Sequence, residues 1–305
     1  MKLTQHCRYE IYPLSYPNIL GGSYAGTIET VGAEVNTFQT GDRVAVILDS
    51  KTHGNPRFGA FQKFALATVS STSKLPPSVT LEAGAAAILN LATIVSALTI
   101  HLALDKPPLS GSPKAKNEKV LIYGGSSSCG GLATKYAATA GYEVVTTSSP
   151  QHHTFVESLG PAHIIDHTQP ADVILQKVKQ YGPYIAIFDA IGLPPITNLL
   201  FDYLDSVGGG KYNTIIPQLG GEKPTPPNVE RVFAAYPWDF EDPKNEETSR
   251  WFFEEYLPRG LESGLIVPTR PQVVEGGLEK VQDALNLMDQ NKVSGHKLIL
   301  YPWSK

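Results

Sequence analysis

Residues 119–147 read KVLIYGGSSSCGGLATKYAATAGYEVVTT, and this stretch decides the fold. A short apolar run, KVLIY, ends in a turn rich in glycine and serine, and a helical segment and a second apolar run follow. In this order of strand, turn, helix and strand, backbone N–H groups and a helix N-terminus can hold a diphosphate. The alternative is a bare strand-to-helix turn, because glycine-rich turns are common after strands.

The small residues of the turn suit a diphosphate in two ways. Its glycines let phosphate approach the backbone closely, and its serines offer hydroxyl donors. The predicted diphosphate contacts are Gly124, Gly125, Ser126, Ser127, Ser128 and Gly130. Cys129 stands at the start of the helix, where the pKa of a thiol can fall, but we interpret it as a small filler residue.

The end of the second strand indicates which dinucleotide fits. An NAD site normally carries Asp or Glu there, which accepts a hydrogen bond from the ribose 2′-OH. This strand ends in residues 146–150, TTSSP, without a carboxylate. Ser149 can donate to a 2′-phosphate, and His152, His153 and Lys135 would add positive charge nearby. The pattern favours NADP(H), although the two histidines equally fit a solvated helix start.

After residue 119, strand-like and helix-like segments alternate to residue 216. The predicted strands are KVLIY, YEVVTT, HIID, YIAIFDA and YNTII. The predicted helices are GGLATKYAATAG, QHHTFVESLG, PADVILQKVKQYG and PPITNLLFDYLDSVG. The strands are continuous apolar runs, which is typical of parallel strands buried on both faces. The order predicts an α/β fold with a Rossmann-type doubly wound parallel sheet.

The segments on either side have a different character. Short β-like runs, TIETV, RVAVIL and FQKFALA, are separated by glycine turns and predict a small antiparallel β domain. Two helices are predicted over TLEAGAAAIL, with Thr80 as N-cap, and LATIVSALTIHLAL. Residues 107–118 predict an exposed loop. Near the end, LEKVQDALNLMDQN predicts an amphipathic helix and KLILY a closing strand.

Composition excludes several classes of protein. The 305 residues are 42% hydrophobic and 18% charged with a net charge of −4, and Lys and Arg do not cluster. Nucleic acid and anionic membranes are therefore not expected partners. No stretch approaches the roughly 18 apolar residues of a spanning helix, and the N-terminus lacks the apolar core of a signal peptide. Two cysteines, Cys7 and Cys129, cannot build a disulfide framework, so we expect a cytoplasmic protein.

Taken together, these segments resemble the medium-chain dehydrogenase/reductase superfamily, and most closely its zinc-free fungal group of trans-acting enoyl reductases and ToxD-like oxidoreductases. The order of the matching stretches is more specific than any one motif. They are ILGGSYAGTIETVGAEVNTFQTGDRV, GAFQKFALA, VLIYGGSSSCGGLATKYAATAGYEVVTTSSP, SLGPAHIIDHTQP, IFDAIG and VVEGGLEKVQDALNLMDQNKVSGHKLILYP.

The resemblance implies a split GroES-like β domain, residues 1–88 and 264–305, around a Rossmann domain, residues 89–263. It also implies NADP(H) as cofactor. The contacts carried over from the family are Ser126, Ser127, Ser149, His167, Ile191, Gly192 and Lys297. His167 stands where relatives usually carry tyrosine, and Ile191 and Gly192 match the segment that lines the nicotinamide.

Two residues are candidates for the chemistry itself. The resemblance places Thr93 at a threonine position that faces the nicotinamide, and the alternative is a packed β-branched residue in a helix. Tyr24 is a candidate phenol donor, although tyrosines in such segments usually pack. Asp189 could be a carboxylate facing the substrate or a local turn contact, and Trp238 and Trp251 could line a pocket or pack.

No metal is expected. Gly22-Ser23 stands where a zinc-dependent relative has His-Glu, and the four cysteines of a zinc lobe are missing. We interpret His53 as an exposed loop residue rather than a ligand.

This sequence departs from the family pattern at the N-terminus, where relatives carry further strands before the segment that starts near residue 13 here. We therefore expect the β domain to have an open edge, unless residues 1–13 or a partner chain cover it.

The resemblance implies an NADPH-dependent reductase of an enone, enoyl thioester or quinone, acting as a monomer or homodimer on a small-molecule or carrier-bound polyketide-like substrate. The alternatives are a remodelled scaffold for a non-redox cyclisation, isomerisation or elimination, and a nucleotide-binding partner protein without catalysis.

Overall fold

The computed structural model describes residues 15–218 and 220–303, and these form two compact units. The first unit comprises the described residues up to Ala92, Pro237–Gly264, and those from Pro268 onward. The second comprises Thr93–Tyr236 and Leu265–Val267. Residues 237–263, which the predicted boundaries assign to the Rossmann domain, pack here in the first unit. Cys7 and residues 1–13, the predicted cover for an open edge, lie outside the described residues.

The first unit begins with an antiparallel sheet in the order β1-β2-β3. Its strands are β1 Ser23–Thr27, β2 Arg43–Ile47 and β3 Thr72–Lys74. The predicted strand RVAVIL is confirmed as β2. The predicted strand TIETV, residues 27–31, is wrong except for Thr27. The strand that pairs with β2 is Ser23–Thr27, which ends where the predicted strand begins.

The predicted strand FQKFALA, residues 61–67, is also wrong. Its backbone turns back on the preceding loop: the Leu66 N–H donates to the Arg57 carbonyl at 2.9 Å. The Gln62 side-chain amide donates to the carbonyls of Arg57 and Gly59 as well, at 3.1 and 2.6 Å. These local hydrogen bonds replace a sheet ladder, and Phe64 is left 68% exposed.

One continuous helix replaces the two predicted between residues 80 and 104. It is α1, Leu81–Val95, and it continues as a wider π-helical turn, Ser96–His101. The Thr80 hydroxyl accepts the Ala83 N–H at 3.1 Å, which confirms the predicted N-cap. The whole helix is long and apolar enough to cross a membrane by length and composition, contrary to the expectation above. Most of it is buried inside the protein, as the core helix of a globular domain is.

The second unit is built on six parallel strands. They are β4 Lys119–Tyr123, β5 Glu143–Ser148, β6 His163–Asp166, β7 Ala186–Asp189, β8 Gly210–Thr214 and β9 Val229–Val232. The connecting helices are α2 Ser128–Thr139, α3 His153–Glu157, α4 Ala171–Tyr181 and α5 Pro194–Ser206. The predicted doubly wound sheet is confirmed, and β9 is a strand that the sequence analysis missed.

The strand order is β6-β5-β4-β7-β8-β9, so the direction of winding reverses between β4 and β7. Tyr123, the last residue of β4, pairs with Asp189, the last residue of β7. The loops that follow these two residues therefore start side by side. In open α/β sheets, ligands bind at such a switch point, outside the carboxyl ends of the strands.

A dense apolar core fixes the sheet and its helices. Leu121, Val145 and Ile187 from the central strands pack with Leu200 and Phe201 of α5. Leu121 pairs in register with Val145 and with Ile187, so these side chains share one face of the sheet, which this core covers. The predicted exposed loop at 107–118 is confirmed as a segment without regular structure up to β4.

The chain completes the first unit with short elements. They are α6 Glu246–Arg250, a π-helical turn at Trp251–Tyr256, α7 Leu257–Ser263, β10 Pro271–Val274, α8 Val281–Asp289 and β11 Lys297–Leu300. The predicted amphipathic helix and closing strand are confirmed as α8 and β11. Strands β10 and β11 pair in parallel. The Ser73 hydroxyl of β3 donates to the Phe253 carbonyl at 2.5 Å, which ties this segment to the first sheet.

Candidate functional site

The glycine-rich loop after β4 is held by the end of β5. Gly124 has a φ of +92°, which favours glycine, and its N–H donates to Thr147 Oγ1 at 2.8 Å. The Gly125 N–H donates to the Thr147 carbonyl at 2.8 Å. The buried Thr147 thus fixes the direction in which the chain leaves the sheet.

The glycines of this loop leave no room for side chains. A Cβ on Gly125 would lie 2.3 Å from Thr146 Oγ1, and a Cβ on Gly130 would lie 2.1 Å from the Gly124 carbonyl oxygen. On Gly131, a Cβ would lie 3.1 Å from the Gly125 carbonyl oxygen. The first turn of α2 therefore packs directly against a bare loop backbone. This is the close backbone approach and helix N-terminus that a dinucleotide diphosphate requires, so the loop fits the predicted cofactor.

The serines of the loop differ in their hydrogen bonds. Ser127 is the N-cap of α2, and its Oγ accepts the Gly130 N–H at 3.0 Å. Ser126 makes no hydrogen bond within the described part of the chain, so its hydroxyl and N–H are open to a ligand. Ser128 is the first residue of the helix. The helix cap uses the Ser127 hydroxyl as an acceptor and does not involve Ser126. The hydroxyl proton of Ser127 therefore remains available for donation to a ligand.

We expect Ser127→Ala to lower the free energy of unfolding by about 1 kcal/mol, because the helix loses its N-cap acceptor. Urea unfolding followed by circular dichroism measures this change. Ser126→Ala is the matched control and should change the free energy by less than about 0.5 kcal/mol. Equal losses in both variants would contradict the assignment of Ser127 as the cap.

The ends of β5 and β6 bring together three of the predicted cofactor contacts: Ser149, His152 and His167. The His152 N–H donates to the Ser149 carbonyl at 3.0 Å, and the His167 N–H donates to the Ser148 carbonyl at 3.3 Å. Ser149 is buried and precedes the short turn Pro150–His152. The described ends of these strands thus place one serine and two histidines in one neighbourhood.

A carboxylate lies beside this group. Asp166, the last residue of β6, accepts hydrogen bonds from the Thr168 hydroxyl at 2.7 Å and the Gln169 amide at 3.0 Å. The Thr168 hydrogen bonds hold the pKa of Asp166 below its usual range, so the carboxylate stays ionised. Its hydrogen bonds fold the loop after β6, in which His167 lies.

The loop after β7 lies against the glycine-rich loop. A Cβ on Gly124 would lie 2.8 Å from Ile191 Cδ1, so the Ile191 side chain fills that space. Gly192 has a φ of +64°, and a Cβ there would lie 2.8 Å from Thr214 Oγ1. Asp189, for which the sequence left two roles open, bonds the N–H groups of its own turn.

The other predicted site residues are spread over both units. Thr93 lies half-buried in α1 and belongs to the second unit. Tyr24 lies in β1 of the first unit, where its hydroxyl donates to the Leu66 carbonyl at 2.6 Å. Burial raises the pKa of Tyr24, so the phenol stays protonated. Lys297 is the first residue of β11, also in the first unit.

Residues considered for other roles mainly pack. His53 is half-buried rather than exposed, because its ring lies edge-on to Trp238 with centroids 5.4 Å apart. Trp251 stacks on Tyr256 at 4.5 Å. Within residues 15–218 and 220–303, no three His, Cys, Asp or Glu residues group as metal ligands would. The absence of a metal cofactor stays a prediction.

A doubly wound parallel sheet with a bare glycine loop at its switch point defines a dinucleotide-binding protein. Residues 3–77 match the alcohol dehydrogenase GroES-like domain. The chain is 33% identical over 293 residues to the trans-enoyl reductase himH of Aspergillus japonicus, covering 95% of this chain and 82% of that protein. It is 28% identical to the trans-enoyl reductase pvhC of Talaromyces variabilis, covering 95% and 84%.

The fold is shared with solved structures. A mycobacterial protein in complex with NADPH superimposes with a TM-score of 0.76 at 22% identity, covering 99% of this chain and 88% of that one. The chain belongs to the medium-chain dehydrogenase/reductase superfamily, in the group of the fungal trans-enoyl reductases. The family and fold class predicted from the sequence are confirmed.

Proposed function

We propose that this protein is an NADPH-dependent, metal-independent reductase of an activated carbon–carbon double bond, as in an enone or enoyl thioester, in fungal secondary metabolism. One observation carries the proposal. A loop whose glycine positions have no room for side chains lies at the switch point, next to the end of β5, which has no carboxylate. The names of the trans-enoyl reductase relatives support the double bond as the reacting group.

The proposal also covers the substrate class, the cellular location and the oligomeric state. The substrate is a small or carrier-bound polyketide-like molecule, and the protein is cytoplasmic, a monomer or homodimer, and does not act on nucleic acid or membranes. The net charge of −4 without a cationic cluster supports the last point.

The chain's own residues bind and orient the cofactor. Backbone N–H groups of residues 124–130 and the α2 N-terminus bind the diphosphate, and Ser149, His152 and His167 bind the 2′-phosphate. Ile191 and Gly192 support the nicotinamide, and Lys297 is a further contact. When bound, NADPH would supply the hydride that adds to the β-carbon of the double bond, and a proton from water would add to the α-carbon to complete the reduction.

Thr93 and Tyr24 are the proposed catalytic donors to the oxygen of the developing enolate. Tyr24 stays protonated because burial raises its pKa, and its hydroxyl must leave the Leu66 carbonyl before it can donate elsewhere. A hydroxyl at either position stabilises charge that is present only in the transition state, so its removal lowers kcat more than cofactor affinity.

We expect Thr93→Val to lower kcat by about 10- to 100-fold and to change the NADPH Kd by less than about twofold. Thr99→Val is the matched control: it makes the same change in the same helix, where the Thr99 hydroxyl bonds the Tyr136 hydroxyl at 2.7 Å. Steady-state NADPH oxidation measures kcat, and nucleotide fluorescence measures Kd. Tyr24→Phe in the same assays tests the second donor. Equal kcat values for Thr93→Val and the wild type would remove Thr93 from the chemistry.

The proposed function is tested with NADPH and three acceptors: an α,β-unsaturated thioester, a simple enone and a quinone. We expect saturable NADPH binding, NADPH oxidation with the thioester or enone, and a product that is two hydrogens heavier. No binding at millimolar NADPH would refute the proposal. Oxidation with the quinone alone would reassign the substrate, and product formation without nicotinamide would favour a non-redox step.

A further inference from the structure

A fully buried carboxylate stands at the end of β7, immediately before the loop that meets the glycine-rich loop. Asp189 Oδ1 accepts the N–H groups of Ile191 and Gly192, both at 2.9 Å, and Oδ2 accepts the Tyr212 hydroxyl at 2.8 Å. Burying a charge without partners is costly, so these three donors are what make the carboxylate stable at this position.

The network continues into the adjacent strand and helix. Tyr212 is fully buried in β8, and its hydroxyl oxygen lies 3.0 Å from Thr197 Oγ1 of α5. Burial, and then the charge of Asp189, raise the pKa of Tyr212. The phenol therefore keeps its proton and remains a donor to the carboxylate. Asp189 thus connects the turn after β7 to two further elements of the second unit.

The turn that Asp189 holds, residues 190–192, is fixed on both sides. On one side the Ile191 side chain occupies the space beside the Cα of Gly124, and on the other Gly192 lies against Thr214 and Ile216. A dinucleotide at a switch point extends from the β5 side of the sheet, across the glycine loop, to the β7 side. The turn at residues 190–192 follows β7 and Ser149 follows β5, so the two lie on opposite sides of β4 along the carboxyl edge of the sheet.

We propose that Asp189 and Tyr212 are positioning residues, which hold the turn at residues 190–192 as the support for the nicotinamide half of the cofactor. The adenosine half is bound independently by the ends of β5 and β6. This inference rests on the proposed function, because it presumes that NADPH binds at the switch point. It predicts that damage to the network weakens binding of the whole dinucleotide and leaves its adenosine fragment unaffected.

The test compares two ligands by titration calorimetry: NADPH, and 2′,5′-ADP, which lacks the nicotinamide half. We expect Asp189→Ala to raise the Kd of NADPH by about tenfold or more, because two backbone N–H groups lose their acceptor. The Kd of 2′,5′-ADP should change by less than about twofold. Asp189→Asn keeps an acceptor oxygen for those N–H groups and should recover most of the NADPH affinity.

Two tyrosine variants complete the comparison. Tyr212→Phe removes one donor to Asp189 and should raise the NADPH Kd by about threefold or more. Tyr203→Phe is the matched control, because Tyr203 is equally buried in α5 and its hydroxyl has no hydrogen-bond partner among residues 15–218 and 220–303. It should leave both affinities unchanged. If Asp189→Ala does not fold, Tyr212→Phe against Tyr203→Phe decides the question.

The outcomes separate the inference from the proposed function. If the wild type binds both ligands and the Asp189 and Tyr212 variants weaken both equally, or neither, the positioning role is overturned and the proposed function stands. If the wild type binds 2′,5′-ADP as tightly as NADPH, the nicotinamide half has no support in this fold and the inference is wrong. If it binds neither ligand, both the inference and the proposed function fail.

Discussion

We expect the substitution Gly130→Ala to weaken NADPH binding by about 100-fold and to destabilise the protein by about 1–3 kcal/mol. The added Cβ would lie 2.1 Å from the carbonyl oxygen of Gly124 and 2.6 Å from its carbonyl carbon, so helix and loop must separate. Separation moves the backbone N–H groups that meet the diphosphate, and charge-assisted hydrogen bonds of this kind each contribute about 1.5–3 kcal/mol. Nucleotide fluorescence and thermal unfolding measure the two effects.

Gly131→Ala provides a graded comparison for Gly130→Ala. Its added Cβ would lie 3.1 Å from the Gly125 carbonyl oxygen, a contact that a small shift relieves, so we expect a clearly smaller loss of affinity. Gly26→Ala, in β1, meets no atom within 4 Å and should not affect binding. A folded Gly130→Ala protein with wild-type affinity for NADPH would show that the diphosphate binds elsewhere.

The second large effect is expected from Ser149→Asp, which should reverse the cofactor preference. A carboxylate near the 2′-phosphate repels it by several kcal/mol even in a partly screened environment, so we expect the NADPH Kd to rise by about 100-fold. The same carboxylate accepts a hydrogen bond from the free 2′-OH, so NADH affinity should rise by up to about tenfold. The ratio of the two Kd values then changes by about 1,000-fold.

Ser149 is buried, but it precedes the turn at Pro150–His152 in an extended conformation, where an aspartate can accept a backbone N–H of that turn. This hydrogen bond offsets the cost of the buried charge, so the fold should tolerate the change. Ser206→Asp is the control with the same change in charge. Ser206 ends α5, and a helix that follows a parallel strand ends near the amino edge of the sheet, away from the cofactor. A Ser149→Asp protein that still prefers NADPH would place the 2′-phosphate outside the ends of β5 and β6.

The nucleotide loop could be read from sequence because its determinants are local. Strand β4, the glycines, helix α2 and strand β5 follow one another, and the turn between β4 and α2 admits few conformations. The N-cap by Ser127 follows from the same local rule, although the sequence pattern predicts only a phosphate contact for this serine. The sheet could be read for a related reason, since buried parallel strands appear as continuous apolar runs.

Features that depend on contacts outside the segment itself could not be predicted from the sequence. FQKFALA has the composition of a strand, but Gln62 and Leu66 bond the preceding loop instead. Tyr212, in the adjacent strand β8, donates its hydroxyl to Asp189, and no motif near either residue predicts this hydrogen bond. The sequence around Tyr24 predicts a phenol donor, and only the structure shows that its hydroxyl donates to the Leu66 carbonyl.

The packing of α2 against the glycine loop also restricts how this sequence can diverge. At Gly125 and Gly130 any side chain collides with neighbouring atoms, whereas Ser126 makes no hydrogen bond in the described part of the chain. Packing alone therefore excludes side chains at the two glycines, even in a variant that no longer binds a nucleotide. Ser126 is constrained through the cofactor instead, so a descendant that loses the cofactor should keep the glycine spacing after Ser126 has changed.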